Sequence, residues 1–246
     1  MKLFLKGQLS ARIAHLVEIH TGKLLSCPAG EHLGLAAAPH LLHKLLHLLK
    51  LLEQPVHILH PGAGACGDAA LARILSLHAS TRERLPLAAM DALYTRLFEM
   101  TGKPRRMLDL ACGLNPIYLA ARGASVLGLD AHLGAVALVN RFAEENGLDA
   151  RAEGADLRTA ALPNERFDLA LVFKLLPLLG AEGYALLERL NAAWAAVSFP
   201  TRTLSGRSVG MERNYSSAFE EHCPQRFAIA DRFVAGNELI YVLKER

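Results

Sequence analysis

The stretch that decides the fold is MLDLACGLNPIYLAARGASVLGLD, residues 107–130. It begins with a short apolar run, passes through a turn of small residues into a helical pattern, and ends in a second apolar run closed by Asp130. A strand, a turn, a helix and a second strand in this order are typical of a parallel sheet that binds a nucleoside-containing ligand at the turn. The stretch therefore predicts an α/β domain with a ligand site at residues 109–115.

The rest of the chain extends this prediction in both directions. From residue 105 onward, short apolar runs alternate with helical patterns, which predicts a mostly parallel, Rossmann-like sheet with helices on both faces. Residues 227–245 are two apolar runs around a Gly-Asn turn and predict a C-terminal antiparallel hairpin. Helical stripes at 38–54, 68–80 (with Asp68 as N-cap) and 91–100 precede the sheet. We expect an N-terminal helical domain, 1–103, and an α/β domain, 104–246.

Composition excludes several classes of protein. With 246 residues and 52% hydrophobic content, the chain can bury a large core, which argues against a disordered tail protein. No apolar run reaches the roughly 18 residues of a membrane span, so we expect a soluble, cytoplasmic protein without membrane contact. Its four cysteines are far apart and form no C-x-x-C pair, which favours reduced thiols over a zinc site or disulfides.

The small net charge of +3 is unevenly distributed. Residues 1–80 carry seven Lys and Arg against four Asp and Glu, whereas residues 81–246 are balanced. Nine of the eleven histidines also lie in residues 1–80, and a nearby phosphate would raise their pKa values. This distribution is compatible with RNA binding by the N-terminal part.

Two glycine-rich turns are candidates for the ligand site. The segment 61–75 contains a literal G-x-G-x-x-G at Gly62, Gly64 and Gly67, but the run VHIL before it is only four residues long and no second strand follows. We interpret it as a loop that joins helices, and it lacks the Lys-Ser/Thr pair of a Walker loop. The turn after Asp109 has the correct context on both sides, so we assign the ligand to it.

The residues of that turn favour one class of ligand. Ala111, Gly113 and Asn115 stand where a D-x-G-x-G-x-G pattern has glycines; Gly allows close approach of a ligand, and Asn tolerates left-handed backbone. Asp130 ends the second strand, where an acid can accept both ribose hydroxyls. Because Asp109 would repel a pyrophosphate, the pattern favours the cationic S-adenosylmethionine over NAD, with Asp156 on the adenine side.

Five further segments carry a resemblance to a known family. They are LSLHASTRERLP (75–86), LDLACGLNP (108–116), LALVFKLLPLL (169–179), AVSFPTRTLSGRSVGMERNYSSAFE (196–220) and GNELIYVLK (236–244). Together they resemble the aminoglycoside-resistance methyltransferases that modify N7 of a decoding-site guanine in 16S rRNA. The resemblance implies a class I methyltransferase fold, S-adenosylmethionine as donor, the assembled 30S subunit as substrate, and an N-terminal helical domain that docks on rRNA.

The resemblance and the residues together define two candidate sets. In the first, Arg84 would clamp the methionine carboxylate of the donor with its planar fork, and Lys174 would lie between donor and base. The donor-binding candidates are Arg84, Asp109, Ala111, Gly113, Asn115, Asp130, Asp156, Leu157 and Lys174. The candidates for binding the target nucleotide are Pro200, Arg202, Ser205, Arg207, Met211, Asn214 and Tyr215. No catalytic base is assigned, because guanine N7 carries a free lone pair and no proton.

Some features depart from the family or allow other interpretations. Val209 stands where relatives have a lysine, and the first ~60 residues do not resemble the family's N-terminal segment, so the chemistry is better supported than the docking mode. His40, His43, His47, His57 and His60 could be read as metal ligands, but an amphipathic helix explains the first three, and we expect no metal and a monomer. The alternatives are a methyltransferase for another RNA or a small molecule, and a non-catalytic 30S-binding protein with a relic donor pocket.

Overall fold

A computed structural model describes residues 67–201 and 211–246, without the side chains of residues 211–214. Its centre is a single seven-stranded sheet with the strand order β3-β2-β1-β4-β5-β7-β6. The strands are β1 Arg106–Leu110, β2 Ser125–Asp130, β3 Ala150–Gly154, β4 Phe167–Phe173, β5 Ala192–Pro200, β6 Phe227–Ala235 and β7 Glu238–Glu245. The helices are α1 Asp68–Leu75, α2 Ala79–Arg82, α3 Leu87–Thr101, α4 Asn115–Ala121, α5 Leu133–Asn146, α6 Leu176–Leu179, α7 Ala181–Glu188 and α8 Met211–His222.

The directions of the strands confirm the predicted sheet. β1 to β5 are parallel, whereas β7 runs antiparallel between β5 and β6. The predicted hairpin is β6 and β7, joined at Gly236 and Asn237. All five parallel strands therefore place their carboxyl ends at one edge of the sheet, where ligands bind in doubly wound α/β proteins.

Two hydrophobic layers cover the two faces of the sheet. Strand β4 is buried along nearly its whole length, because helices pack on both of its faces. One layer packs α1, α3, α4 and α5 against the sheet, through residues that include Leu71, Leu93, Ile117, Val139 and Met107. The other packs α6, α7 and α8, through residues that include Leu176, Leu186, Phe219, Leu108 and Val172.

The first described helices differ from their predicted bounds. The pattern at 68–80 predicted one helix, but α1 ends at Leu75 and the chain turns before α2 begins at Ala79. Gly67 is the N-cap of α1 and Asp68 is its first helical residue, so the prediction of Asp68 as N-cap is wrong. An acid in the first turn still complements the helix dipole, which explains why both positions suit an aspartate.

Much of the expected N-terminal helical domain lies outside the described residues, including the stripe at 38–54 and both Gly62 and Gly64. Helices α1 and α3 bury their apolar faces in the same layer as α4 and α5 of the sheet domain. The boundary between 1–103 and 104–246, and the docking role of the first part, stay predictions. Among the helices that the structure describes, none is long and apolar enough to cross a membrane.

Candidate active site

The carboxyl edge of the sheet brings together most of the described candidates for donor binding. Asp109 is the fourth residue of β1, Asp130 ends β2, and Asp156 lies two residues beyond β3. Lys174 follows β4 directly. Since β3, β2, β1 and β4 are neighbours in this order, the prediction that these side chains share one edge is confirmed.

The turn after β1 is built on two residues with left-handed backbone. Ala111 has φ 54° and Gly113 has φ 53°. The Gly113 N–H donates to Asp130 Oδ2 at 2.8 Å, and the His132 N–H donates to Asp130 Oδ1 at 2.7 Å. Asp130 is buried, and its carboxylate links the turn after β1 to the residues that follow β2. Each carboxylate oxygen has a further lone pair, so a role toward ribose hydroxyls is compatible with these bonds and stays a prediction.

His78 lies directly over this turn, a contact that the sequence did not predict. A Cβ added to Gly113 would come within 2.6 Å of the His78 ring and 3.1 Å of Ser80 Oγ. The ring is held by a 2.8 Å hydrogen bond between His78 Nδ1 and Ser80 Oγ, and burial lowers the pKa of His78. In this structure the space next to Gly113 is filled by the protein itself, so packing as well as ligand approach requires the glycine.

Replacement of Gly113 by alanine tests this packing. We expect Gly113→Ala to lower the free energy of unfolding by about 1–3 kcal/mol more than Gly147→Ala, because only the first forces an overpacked contact. Gly147 has a similar φ of 61° with nothing within 4 Å of its added Cβ, so it isolates the cost of the backbone conformation. Urea unfolding of the two variants measures the difference. Equal losses would show that His78 moves aside without cost.

Asn115 has a different role from the predicted one. The sequence suggested that it replaces a left-handed glycine, but it is the first residue of α4 and its φ is not positive. Its buried side chain instead donates from Nδ2 to Asp109 Oδ2 at 2.7 Å and accepts from Tyr94 OH at 2.8 Å. The prediction of a strained Asn115 is therefore wrong. Its amide links α3 to the acid at the end of β1.

Asp109 is a buried acid at this edge whose pKa is raised. Only 2% of its surface is exposed. Burial raises the pKa of Asp109 to about 7, against the opposing effects of the Asn115 hydrogen bond and the Arg84 charge. A carboxyl group that ionises near neutral pH can change charge when a cationic ligand binds beside it.

Arg84 forms an ion pair with Glu238 that the sequence did not predict. Together with Asp109 and Lys174, these two residues are called the buried cluster below. Arg84 Nε donates to Glu238 Oε1 at 2.7 Å and Arg84 Nη2 donates to Glu238 Oε2 at 3.1 Å. The guanidinium also lies over the ring of Phe173, 4.8 Å from the centroid. Burial disfavours a charged guanidinium, but the ion pair outweighs it and raises the pKa of Arg84. Arg84 is thus a charged side chain held in a fixed orientation by Glu238, and its contact with the donor stays a prediction.

Lys174 connects this cluster to the end of β5. It has φ 55°, and its N–H donates to Ser198 Oγ at 3.1 Å and to Ser198 O at 3.0 Å. Its Nζ lies 2.7 Å from Glu83 Oε2 and 3.5 Å from Glu238 Oε1. Lys174 follows the end of β4, as predicted, and its place between donor and target stays a prediction.

The segment after β3 contains the two candidates for the adenine side. Asp156 is exposed and accepts the Arg158 N–H at Oδ1 with a distance of 3.1 Å, whereas Leu157 is buried in the second hydrophobic layer. An exposed acid next to a buried leucine provides a hydrogen-bond acceptor beside an apolar wall. Both are compatible with an adenine ring and its exocyclic amine.

The candidates for the target nucleotide are only partly described. Pro200 ends β5. The ring of Tyr215 stacks on Phe199 at a centroid distance of 5.2 Å, which leaves at most one face for a base. Met211 and Asn214 lie in α8, and their side chains are not described. Arg202, Ser205 and Arg207 lie outside the described residues.

A metal site is not found in the described part of the chain. Within residues 67–201 and 211–246, no group of three His, Cys, Asp or Glu side chains is placed to hold an ion. The five histidines weighed as metal ligands lie outside these ranges, so that alternative is not tested.

The strand order, the antiparallel seventh strand and the acids at the ends of β1 and β2 define a class I methyltransferase, the class that uses S-adenosylmethionine. The particular family follows from a match of residues 29–242 to the model of the ribosomal RNA methyltransferases (FmrO). The chain belongs to this family of rRNA methyltransferases, as the resemblance of its motifs predicted.

Individual relatives are similar over most of the chain. The 16S rRNA (guanine(1405)-N(7))-methyltransferase of Serratia marcescens is 47% identical over 192 residues, which are 76% of this chain and 75% of that protein. The enzyme of the same name from Micromonospora echinospora is 35% identical over 205 residues, 79% of this chain and 73% of that protein.

Solved structures give the same result. The 16S rRNA methyltransferase RmtF in complex with S-adenosyl-L-homocysteine matches with a TM-score of 0.66 and 41% identity, over 83% of this chain and 75% of that chain. The 16S rRNA methylase RmtB matches with a TM-score of 0.63 and 43% identity, over 72% of this chain and 70% of that chain. The predicted fold and family are confirmed.

Proposed function

We propose that this protein transfers the methyl group of S-adenosylmethionine to N7 of guanine 1405 of 16S rRNA, in the assembled 30S subunit. The observation that carries the proposal is the 47% identity, over three quarters of the chain, to a Serratia marcescens protein named for methylation of this atom. The described residues at the carboxyl edge of the sheet fit both the donor and the reaction.

The charges of the buried cluster complement the methionine part of the donor. Arg84 and Glu238 neutralise each other, and Lys174 is paired with Glu83, which leaves Asp109, hydrogen-bonded to the neutral Asn115 amide, as the acid of this group that is outside an ion pair. S-adenosylmethionine carries two positive charges and one negative charge. Asp109 supplies the matching anion, and the remaining N–H groups of Arg84 bind the donor carboxylate.

The other acids hold the nucleoside. Asp130 keeps a lone pair on each oxygen beyond its two backbone bonds and accepts the ribose hydroxyls. Asp156 accepts the exocyclic amine of adenine, and the buried Leu157 packs against the ring. Ala111 and Gly113 turn the backbone between Asp109 and Asp130, so that the donor lies along the strand ends.

The reaction requires positioning more than acid–base chemistry. The donor, when bound, supplies an electrophilic methyl group on a sulfonium. Guanine N7 has a lone pair and no proton, so its attack needs no base, and the protein accelerates it by in-line alignment and by exclusion of water. Asp109 accepts a hydrogen bond from the Asn115 side chain, in agreement with a role in binding rather than proton transfer.

The target nucleotide and the ribosome are bound by other parts of the chain. Pro200, Tyr215 and the residues between them, among them Arg202, Ser205, Arg207, Met211 and Asn214, receive the guanine after it leaves its stack, which costs a few kcal/mol. The N-terminal part, with its excess of basic residues, docks on the rRNA of the 30S subunit. The protein acts in the cytoplasm as a monomer without a metal, and its modification is expected to confer aminoglycoside resistance.

Transfer of labelled methyl groups tests the proposed reaction. We expect label from S-adenosylmethionine to enter intact 30S subunits, with naked 16S rRNA and 50S subunits unlabelled, because the docking surface includes more than one rRNA segment. Strand scission sensitive to N7 methylation should place the label at one decoding-site guanine. A 30S subunit already methylated at that guanine is the matched control and should take up no label.

Other outcomes support the alternatives. Label on naked RNA or on a small molecule, with none on 30S, would contradict the proposed substrate and favour another methyltransferase. Failure to bind S-adenosylmethionine in calorimetry, with 30S binding intact, would favour a non-catalytic ribosome-binding protein.

A further inference from the structure

Glu238 is a buried acid at the active-site edge that no part of the proposed reaction uses. It begins β7, the antiparallel strand next to β5, and only 2% of its surface is exposed. Both of its oxygens face Arg84, in a bidentate pair with distances of 2.7 and 3.1 Å. Burial alone would raise the pKa of Glu238, but the charge of Arg84 lowers it below its ordinary value. Glu238 is therefore a fixed anion.

Further contacts hold this carboxylate in place. Ser198 Oγ donates to Glu238 Oε2 at 2.6 Å, and Lys174 Nζ lies 3.5 Å from Oε1. Glu238 is paired with Pro200 in the register of β5 and β7, and the next bond along the ladder joins Thr201 N to Asn237 O at 2.9 Å. The carboxylate is thus anchored to the part of β5 from which the proposed target segment begins.

We propose that Glu238 is a positioning residue for methyl transfer, which orients the Arg84 guanidinium so that its other edge binds the carboxylate of the donor. The inference rests on the proposed role of Arg84 in donor binding. Glu238 itself does not touch the donor.

The geometry of the pair supports this role. A guanidinium has five N–H donors, and Glu238 uses one on Nε and one on Nη2. Of the three remaining donors, one is on Nη2 and two are on Nη1, and the edge formed by Nη1 and Nη2 is a second fork that fits another carboxylate. Without Glu238, a side chain with four rotatable bonds would have to be ordered each time the donor binds, which would weaken binding.

Stability alone does not explain why the pair is present. A buried ion pair is often no more stabilising than apolar side chains of the same volume. The location is also specific, since Arg84 is close enough to Asp109 for each charge to affect the pKa of the other. The position of this cation is therefore better explained by binding of an anionic ligand group than by a contribution to the stability of the fold.

A comparison of two ligands on the Glu238→Gln variant tests the inference. S-adenosylhomocysteine has the carboxylate, whereas 5′-methylthioadenosine has the same nucleoside and sulfur without the amino-acid end. By calorimetry on the full chain, we expect Glu238→Gln to weaken S-adenosylhomocysteine binding about ten-fold or more, as for loss of an oriented charge-assisted bond. Binding of 5′-methylthioadenosine should change less than about two-fold, because that ligand does not reach Arg84.

Two matched variants complete the experiment. Glu245→Gln removes another ion-paired acid of β7, which contacts Arg166 and Arg226 away from the site, and should leave both affinities unchanged. Should Glu238→Gln fail to fold, Ser198→Ala keeps the carboxylate but removes its hydrogen bond at Oε2, together with the bond that Ser198 Oγ accepts from the Lys174 N–H. It should give a smaller loss, again confined to S-adenosylhomocysteine.

The contrary outcomes are distinct. Equal weakening of both ligands would indicate a general structural role, and tighter binding of S-adenosylhomocysteine would show that Glu238 competes with the donor; either result overturns the inference. The variant Arg84→Lys distinguishes failure of this inference from failure of the proposed donor-binding role of Arg84. If Arg84→Lys weakens only S-adenosylhomocysteine while Glu238→Gln does not, the donor clamp stands and the positioning role is wrong. If Arg84→Lys has no effect, the clamp itself is wrong.

Discussion

Replacement of Arg84 by methionine is expected to lower the free energy of unfolding by about 3–5 kcal/mol, and the addition of Glu238→Leu in the same chain to recover most of that loss. The single variant leaves the Glu238 carboxylate buried without its partner, whereas the double variant replaces both charges by apolar groups. Urea unfolding followed by circular dichroism measures both effects. The double variant should nevertheless bind S-adenosylhomocysteine as weakly as the single one, since neither keeps the cation.

The control is an exposed ion pair of the same type. Arg141 and Glu145 are one helical turn apart on α5, at 2.9 Å, with side chains 38% and 45% exposed, and Arg141→Met should cost less than about 1 kcal/mol. If the double variant were as unstable as Arg84→Met, the pair would stabilise the fold through its specific hydrogen bonds. Recovered stability without recovered binding would identify it as part of the donor site.

Local patterns were sufficient to predict the sheet and the acids at its edge. Apolar runs alternating with helical stripes imply parallel strands, and parallel strands place the residues that follow them at one edge. Asp109, Asp130 and Asp156 were located in this way, and the hairpin of β6 and β7 followed from its Gly-Asn turn. Errors at the ends of helices, such as the N-cap at Gly67, arose because Gly67 and Asp68 are both acceptable at a helix start.

The contacts that the sequence did not predict join residues far apart in the chain. Arg84 and Glu238 are separated by 154 positions, and Tyr94 and Asn115 by 21. No periodicity or spacing relates such pairs, and an acid at the start of an apolar strand is normally an exposed residue. Only the burial of Glu238 among other charges distinguishes it, and burial of a charged residue depends on the tertiary packing.

The ionisation of Asp109 is expected to make stability depend on pH. Its pKa in the folded protein is about 7, above the 3.8 of an ordinary aspartate, because burial disfavours the carboxylate. Between these values the folded protein keeps a proton that the unfolded chain has released. The free energy of unfolding therefore falls as pH rises from about 4 to 7, by on the order of 4 kcal/mol, and is level above that.

The variant Asp109→Asn isolates this effect. It keeps an acceptor for Asn115 and cannot ionise, so its stability should lack the decrease between pH 4 and 7. His78 has the opposite effect on stability, since its lowered pKa makes the folded protein less stable as pH falls below 6.5. The wild-type protein and the Asp109→Asn variant share that dependence. The difference between their urea-unfolding curves, measured at several pH values, therefore reports Asp109 alone. No difference would mean that Asp109 is ionised throughout.

The same proton is expected to control donor binding. If the cationic end of S-adenosylmethionine binds the ionised Asp109, affinity should increase as pH rises through about 7, with release of a proton that calorimetry in buffers of different ionisation enthalpy detects. Asp109→Asn should weaken binding about 100-fold at pH 8 and much less at pH 6, where the wild-type carboxyl is largely protonated. A loss of equal size at both pH values would show that the carboxylate is already ionised in the free protein. A pH-dependent loss would mean that the donor itself drives this buried acid into its charged form.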